Sequence, residues 1–284
     1  MTTANNYLSL SQSDLLQFAN RGLLLHRWKF APRYVDELLE HLPRLSIGRS
    51  ETVAMESDGE TARAFHGGQT DNHTFEQLTR LSVLLEAAQQ ILRDRAYVYQ
   101  FKVNLKSAFA GDAWPWHQDY SFWANEDGMP TSRALTAAVF LDEVSEFNGP
   151  MYFIPCSHRA QLPNGRTAPT VAEPPVTWQR HVGSTDLSYQ TDRNKVTELA
   201  AVHGLVAAKG PRGTILFFDS KIVHASPANV SPMSRRILFI TYNSITNRPT
   251  TLRRPAFLVN RDMRTLDVVE PHPEIIEPAS DFLE

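Results

Sequence analysis

Between Ala96 and Asn243 the apolar residues fall into short runs rich in β-branched and aromatic side chains, and this stretch limits the fold more than any other. Tyr97 to Asn104, Ala134 to Leu141, Met151 to Pro155, Gly213 to Phe218 and Arg236 to Asn243 carry the period of strands. Loops with Gly, Pro or Asn separate them, as at Asn148-Gly149-Pro150. Since no helices interleave with these runs, they predict a sandwich or barrel rather than a parallel α/β sheet.

Ahead of the strands the chain reads as helical. Ser11 and Asp14 precede Leu15, Leu16 and Phe18, and Gly22 follows, giving a cap, an apolar stripe and a stop. Tyr34, Leu38, Leu39 and Leu42 recur at helical spacing after Pro32, and the longest helix is expected over Thr74 to Asp94. The Pro-rich stretch from Arg159 to about Thr191 reads either as a flap over a site or as a surface insertion. Lys195 to Val202 reads as a short helix ended by Gly204, and the tail after Asn247 as a surface wrap. The expected organisation is one domain over 1–284: a helical part to about 95, a β core over about 96–247, and the tail 248–284.

Composition excludes several classes. A net charge of -3 with no dense Lys/Arg cluster argues against nucleic acid as a partner. The longest apolar runs are far too short to span a bilayer, which argues against a membrane partner. Cys156 is the only cysteine, so no internal disulfide can form, and the N-terminus lacks a signal-peptide pattern; a cytoplasmic location is expected. Oligomeric state is not legible.

Chemistry enters at His117-Gln118-Asp119, followed by His224 and Arg235. Two imidazoles and one carboxylate can hold a non-haem Fe(II) on one face and leave the other open. On a strand, residues i and i+2 share a face, so His117 and Asp119 could converge on one ion while His224 approaches from a neighbouring strand. Equally, His117 and Asp119 could be hydrogen-bonded partners near a turn. Arg235 could anchor an acidic co-substrate, although alternation allows only one of Arg235 and Arg236 to point inward.

Longer motifs surround these residues. Trp114-Pro115-Trp116-His117-Gln118-Asp119-Tyr120, Phe122-Trp123-Ala124-Asn125-Glu126-Asp127-Gly128-Met129-Pro130, Asn148-Gly149-Pro150, Ile154-Pro155-Cys156-Ser157-His158 and His224-Ala225-Ser226 resemble the phytanoyl-CoA dioxygenase-like superfamily. Within it they look most like free L-proline hydroxylases and next most like ectoine hydroxylases, over about Gly22 to Asn247. The resemblance implies a mainly β fold with α, a double-stranded β-helix (jelly roll, cupin-like) with N-terminal helices packed on it. It implies Fe(II) held by His117, Asp119 and His224, and 2-oxoglutarate as co-substrate with O2. Ascorbate would serve as the reductant that preserves activity. Arg235 matches the arginine that pairs with the distal carboxylate of 2-oxoglutarate; Ser226 and Asn104 match further contacts to it. Gln100 matches a substrate-contacting glutamine, and Trp123 an aromatic just beyond the ligand turn.

The expected reaction is hydroxylation of a small free amino or imino acid, L-proline at its 4-position before pipecolate, ectoine or a natural-product intermediate. A cupin-like zinc enzyme or metal-dependent binding protein is the competing class. Lys102 or Arg133 could pair with the substrate carboxylate, Arg133 pairing otherwise with Glu126 or Asp127. Trp114 and Trp116 alternate away from the ligands and read as core, His158 reads as structural, and His66 reads as lining the pocket mouth. Gln118, Phe122 and Lys102 replace the serine, threonine and arginine usual in ectoine hydroxylases, which moves substrate choice away from ectoine.

Overall fold

The computed structural model describes residues 8–45, 48, 50–162, 187 and 189–279. Its helices are α1 (Gln12–Arg21), α2 (Pro32–His41), α3 (His73–Leu78), α4 (Ser82–Leu92), α5 (Asp119–Asp127) and α6 (Arg193–His203). Its strands are β1 (Leu23–Leu25), β2 (Trp28–Phe30), β3 (Val53–Met55), β4 (Ala62–His66), β5 (Ala96–Lys106), β6 (Trp114–His117) and β7 (Ala134–Phe140). They continue as β8 (Met151–Phe153), β9 (Val206–Ala208), β10 (Ile215–Asp219), β11 (His224–Ser226), β12 (Arg235–Ser244) and β13 (Ile276–Pro278).

Two sheets face each other as a jelly roll. The larger runs β1-β10-β7-β12-β5-β4-β3 and the smaller β6-β11-β8-β9. The strand runs look continuously apolar because both faces of the large sheet are covered. Phe101, Val103, Leu135, Ala137, Val139, Phe217, Leu238 and Ile240 meet the helices, chiefly Leu84, Leu85 and Ala88 of α4. Ala138, Phe140, Leu216, Phe218, Ile237 and Phe239 face the small sheet at Met151, Phe153 and Ala208. Each Leu or Phe so enclosed contributes about 1.5–3 kcal/mol.

At α1 the Ser11 side chain accepts from Asp14 N while the Asp14 carboxylate accepts from Ser11 N, the expected capping box. Gly22 ends the helix at φ 77, where a Cβ would come within 2.5 Å of the His158 ring. His158 therefore has a packing role, with Nε2 3.2 Å from Ala19 O. The helix expected over Thr74 to Asp94 is instead two. Thr79 Oγ1 donates to Glu76 O, and the C-terminal segment enters the break: Ser82 N donates to Val269 O and Val269 N to Arg80 O. Of the Pro-rich stretch read as a flap or a surface insertion, residues 163–186 and 188 lie outside the described residues. The tail is more than a wrap, since β13 pairs with β2 and residues further upstream reach the site. Among the described residues no helix is long and apolar enough to cross a membrane.

His26, between β1 and β2, gives a pH dependence remote from the site. It is 3% exposed, its Nδ1 accepts from Trp28 N at 3.1 Å, and burial pulls its pKa down to about 4. A depressed histidine pKa contributes stability that is complete above the unfolded value of 6.5 and lost as pH falls towards 4. Between pH 7 and pH 5 this group alone should remove about 2 kcal/mol of stability. Urea unfolding at the two pH values checks it: His26→Asn, which keeps an acceptor for Trp28 N–H, should lose correspondingly less over the same interval.

Candidate active site

The first ligand position sits at the end of β6, in register with the third: His117 pairs with His224 of β11, and their rings are 4.2 Å apart. Asp119 is the first residue of α5, so it converges by a strand-to-helix turn and not by strand alternation as its spacing had implied. That turn is pinned to the loop leading to His224. Gln118 Nε2 donates to Lys221 O, and Tyr120 N donates to Ser220 O at 2.9 Å.

Both imidazoles are oriented by their own backbone. His117 Nδ1 lies 2.6 Å from Pro115 O and His224 Nδ1 lies 3.0 Å from Ile222 O. A carbonyl there fixes the proton on Nδ1 and leaves the Nε2 lone pair free, the arrangement metal ligands need. His117 Nε2 is 3.9 Å from Asp119 Oδ1, and one donor atom from each of the three residues lies within 4.8 Å of the others. Burial pulls His117 down to about 3 and lowers His224 as well. Burial pushes Asp119 up, but the charges of Lys102, His224 and His117 outweigh it and leave the carboxyl below its usual range. At neutral pH the set is two neutral imidazoles and one carboxylate, matching a divalent ion with hard and borderline donors.

Two adjoining cavities share Lys102, Trp114, His117 and Asp119. The first runs between the sheets to Asn104, Ser226 and Arg235. Arg235 is 2% exposed, and no carboxylate of the described residues lies within 4.0 Å of it. Its Nε and Nη2 donate to Gly149 O, and Nη2 donates to Ser226 Oγ at 3.0 Å. Burial pulls the guanidinium down to about 9, so it stays charged at neutral pH. Asn104 Oδ1 is buried with no partner among the described residues; flipping the amide would offer Nδ2–H to an anion. A buried cation with no ion pair among the described residues, lining the same cavity as the triad, fits a dicarboxylate that would reach the metal by its other end.

The second cavity takes in His66, Gln100, Phe122, Trp123, Tyr189, Arg254 and Leu258. On α5, Asp119, Phe122, Trp123 and Glu126 share one face, and the Tyr189 hydroxyl donates to Glu126 at 2.6 Å. Gln100 Nε2 donates to Leu258 O at 3.1 Å, which leaves Oε1 as its acceptor for the cavity. Lys102 has no hydrogen bond or ion pair among the described residues; its Nζ lies 5.4 Å from the Phe239 ring centroid.

Sequence reasoning missed Arg254 and Leu258, which lie in the tail. Arg254 forms an ion pair with the buried Asp127, donates to Tyr99 Oη at 3.2 Å and stacks 4.7 Å over Phe122. Burial opposes its charge, but Tyr99 and Asp127 outweigh that and hold it above the ordinary arginine value. No periodicity marks this strap in the sequence. Trp114 is a second correction: it lines both cavities, while Trp116 packs beside Ile154, Leu199 and Val223. Arg133 is a third. It is half exposed and clamps the end of α4, donating to Leu92 O, Asp94 and Thr246, not to Glu126, Asp127 or the cavity.

A triad that leaves half of a metal's coordination sphere open suits dioxygen and a chelating keto acid, and a dicarboxylate keto acid makes use of an arginine buried behind it. Enzymes built this way are the 2-oxoglutarate-dependent non-haem iron dioxygenases, and this chain is one. The family model of phytanoyl-CoA dioxygenase (PhyH) matches residues 18–237, and the chain belongs to that family. It is 40% identical over 228 residues to an L-proline trans-4-hydroxylase of Streptomyces griseoviridis, covering 80% of this chain and 84% of that one. An ectoine dioxygenase of Halomonas elongata is 33% identical over 265 residues, 88% of this chain and 76% of the relative. The crystal structure of EctD from Sphingopyxis alaskensis with 2-oxoglutarate and 5-hydroxyectoine is similar at a TM-score of 0.78 and 27% identity, over 95% of this chain and 90% of that chain.

Proposed function

We propose that this chain hydroxylates a small free amino or imino acid, L-proline at its 4-position being the favoured substrate. The reaction converts substrate, 2-oxoglutarate and O2 into hydroxylated substrate, succinate and CO2. The observation that carries the substrate reading is Lys102: a cation beside the triad with no ion pair within 4.0 Å among the described residues, on the same strand face as Gln100, its charge acting on Asp119. Lys102 would hold the substrate carboxylate, and Gln100 Oε1 would accept from the imino or amino nitrogen. Phe122 and Trp123 supply apolar walls for an aliphatic ring. The similarity to L-proline trans-4-hydroxylase points the same way.

His117, Asp119 and His224 would hold the iron, and Arg235 with Ser226 and Asn104 the far carboxylate of 2-oxoglutarate. Iron, when bound, supplies O2 activation and the oxidation of the keto acid that drives hydroxylation. The chain's own work is orientation and exclusion of water. Nδ1 protons held on Pro115 O and Ile222 O keep the imidazoles aimed, and Arg254, held by Asp127, lies over Phe122 in the wall of the second cavity.

The test is a panel of L-proline, pipecolate, ectoine and common amino acids with Fe(II)-loaded protein, 2-oxoglutarate, ascorbate and air. Succinate and hydroxylated product are read together. Coupled turnover of proline is expected, with Lys102→Met raising the KM for proline about tenfold or more. Coupled turnover of ectoine alone would overturn the imino-acid assignment, and absence of succinate with all substrates would favour a zinc or binding-protein reading.

A further inference from the structure

Strand β4 carries a bulge close to the site. Val53, Ala54 and Met55 pair with Phe65, Ala64 and Ala62, so Arg63 is the extra residue. Bulges re-aim side chains, and this one buries Arg63 completely. Its Nη1 lies 2.5 Å from Glu56 Oε2, its Nη2 donates to Ala113 O at 3.0 Å, and its Cζ lies over the Trp114 ring, 3.9 Å from the centroid. Lys106 takes the neighbouring carbonyl, Nζ donating to Asp112 O at 2.5 Å. Two buried basic side chains thus hold successive carbonyls of the segment entering β6, the strand that ends in His117.

A guanidinium can serve Glu56, a carbonyl and an indole face at once because its donors lie in its plane and its faces are free. A buried ion pair contributes little net stability over a well-packed apolar pair, so folding alone is a weak reason for it. Trp114 lines both cavities, together with Lys102, His117 and Asp119, and of these four it is the one that Arg63 covers. We propose that Arg63 and Glu56 are positioning residues that set Trp114 in the wall common to both cavities, and thereby fix 2-oxoglutarate affinity and the coupling of its decarboxylation to hydroxylation. The inference rests on the reading of the two cavities given above.

The variants are Arg63→Lys, the neutral pair Arg63→Met with Glu56→Leu, Trp114→Leu, and Trp114→Leu combined with Arg63→Lys. Two quantities are read besides thermal unfolding. One is the dissociation constant of 2-oxoglutarate by calorimetry on protein loaded with redox-inert Mn(II); the other is the ratio of succinate to hydroxylated product. Arg63→Lys and the neutral pair should each weaken 2-oxoglutarate binding about tenfold and raise the ratio several-fold. Trp114→Leu should reproduce both, with Arg63→Lys adding nothing in that background. Wild-type affinity in folded Arg63→Lys and neutral-pair proteins, whatever their unfolding temperatures, would reduce the pair to a structural role and overturn the proposal. If wild-type protein makes no succinate with any substrate, the proposed function fails, while the calorimetric comparison still decides this inference.

Discussion

Asp119→Ala should reduce turnover by about three orders of magnitude or more while the protein remains folded. The carboxylate is the only anionic donor in the three-residue ligand set, so its loss leaves two neutral imidazoles to face a divalent ion. Stability should change little. As the first residue of α5 the carboxylate interacts favourably with the helix N-terminus, worth about 0.3–1 kcal/mol, but it is also buried at a desolvation cost. Succinate formation, retained iron after dialysis and thermal unfolding measured together separate the possibilities. Turnover within about tenfold of wild type would contradict the triad assignment.

Arg235→Leu should separate binding from stability. Two charge-assisted hydrogen bonds to a carboxylate are worth about 3 kcal/mol, so the KM for 2-oxoglutarate should rise about a hundredfold. Meanwhile a buried cation with no carboxylate within 4.0 Å among the described residues is removed, so the unfolding free energy of the protein without co-substrate should hold or rise. A KM within about threefold of wild type would show that the dicarboxylate is not held there. A large drop in stability would show that the hydrogen bonds to Gly149 O and Ser226 are what Arg235 is for.

The jelly roll itself was implied by the family resemblance, whereas a β sandwich or barrel was legible because strand periodicity and intervening turns are local properties. The same holds for Gln100, Lys102 and Asn104, which share a face of β5 by alternation alone. Trp114 was misread for a local reason: β6 carries a bulge, His117 pairing with His224 but Trp114 with Ser226, and the extra residue breaks the alternation that would put Trp114 on the face opposite His117. What stayed hidden is tertiary. Arg254 and Leu258 arrive from a tail without periodicity, Asp94 captures Arg133 across the end of α4, and Val269 enters the gap that divides α3 from α4. Arg63 was invisible because a bulge, which the sequence does not announce, decides which way it points.

The most direct test of the central claim is turnover of L-proline and 2-oxoglutarate under oxygen-18 gas, with mass analysis of both products. One labelled atom in succinate and one in hydroxyproline, with the two products formed in equal amounts, is the predicted result. Unlabelled hydroxyproline, or labelled succinate formed at a rate that proline does not change, would contradict it.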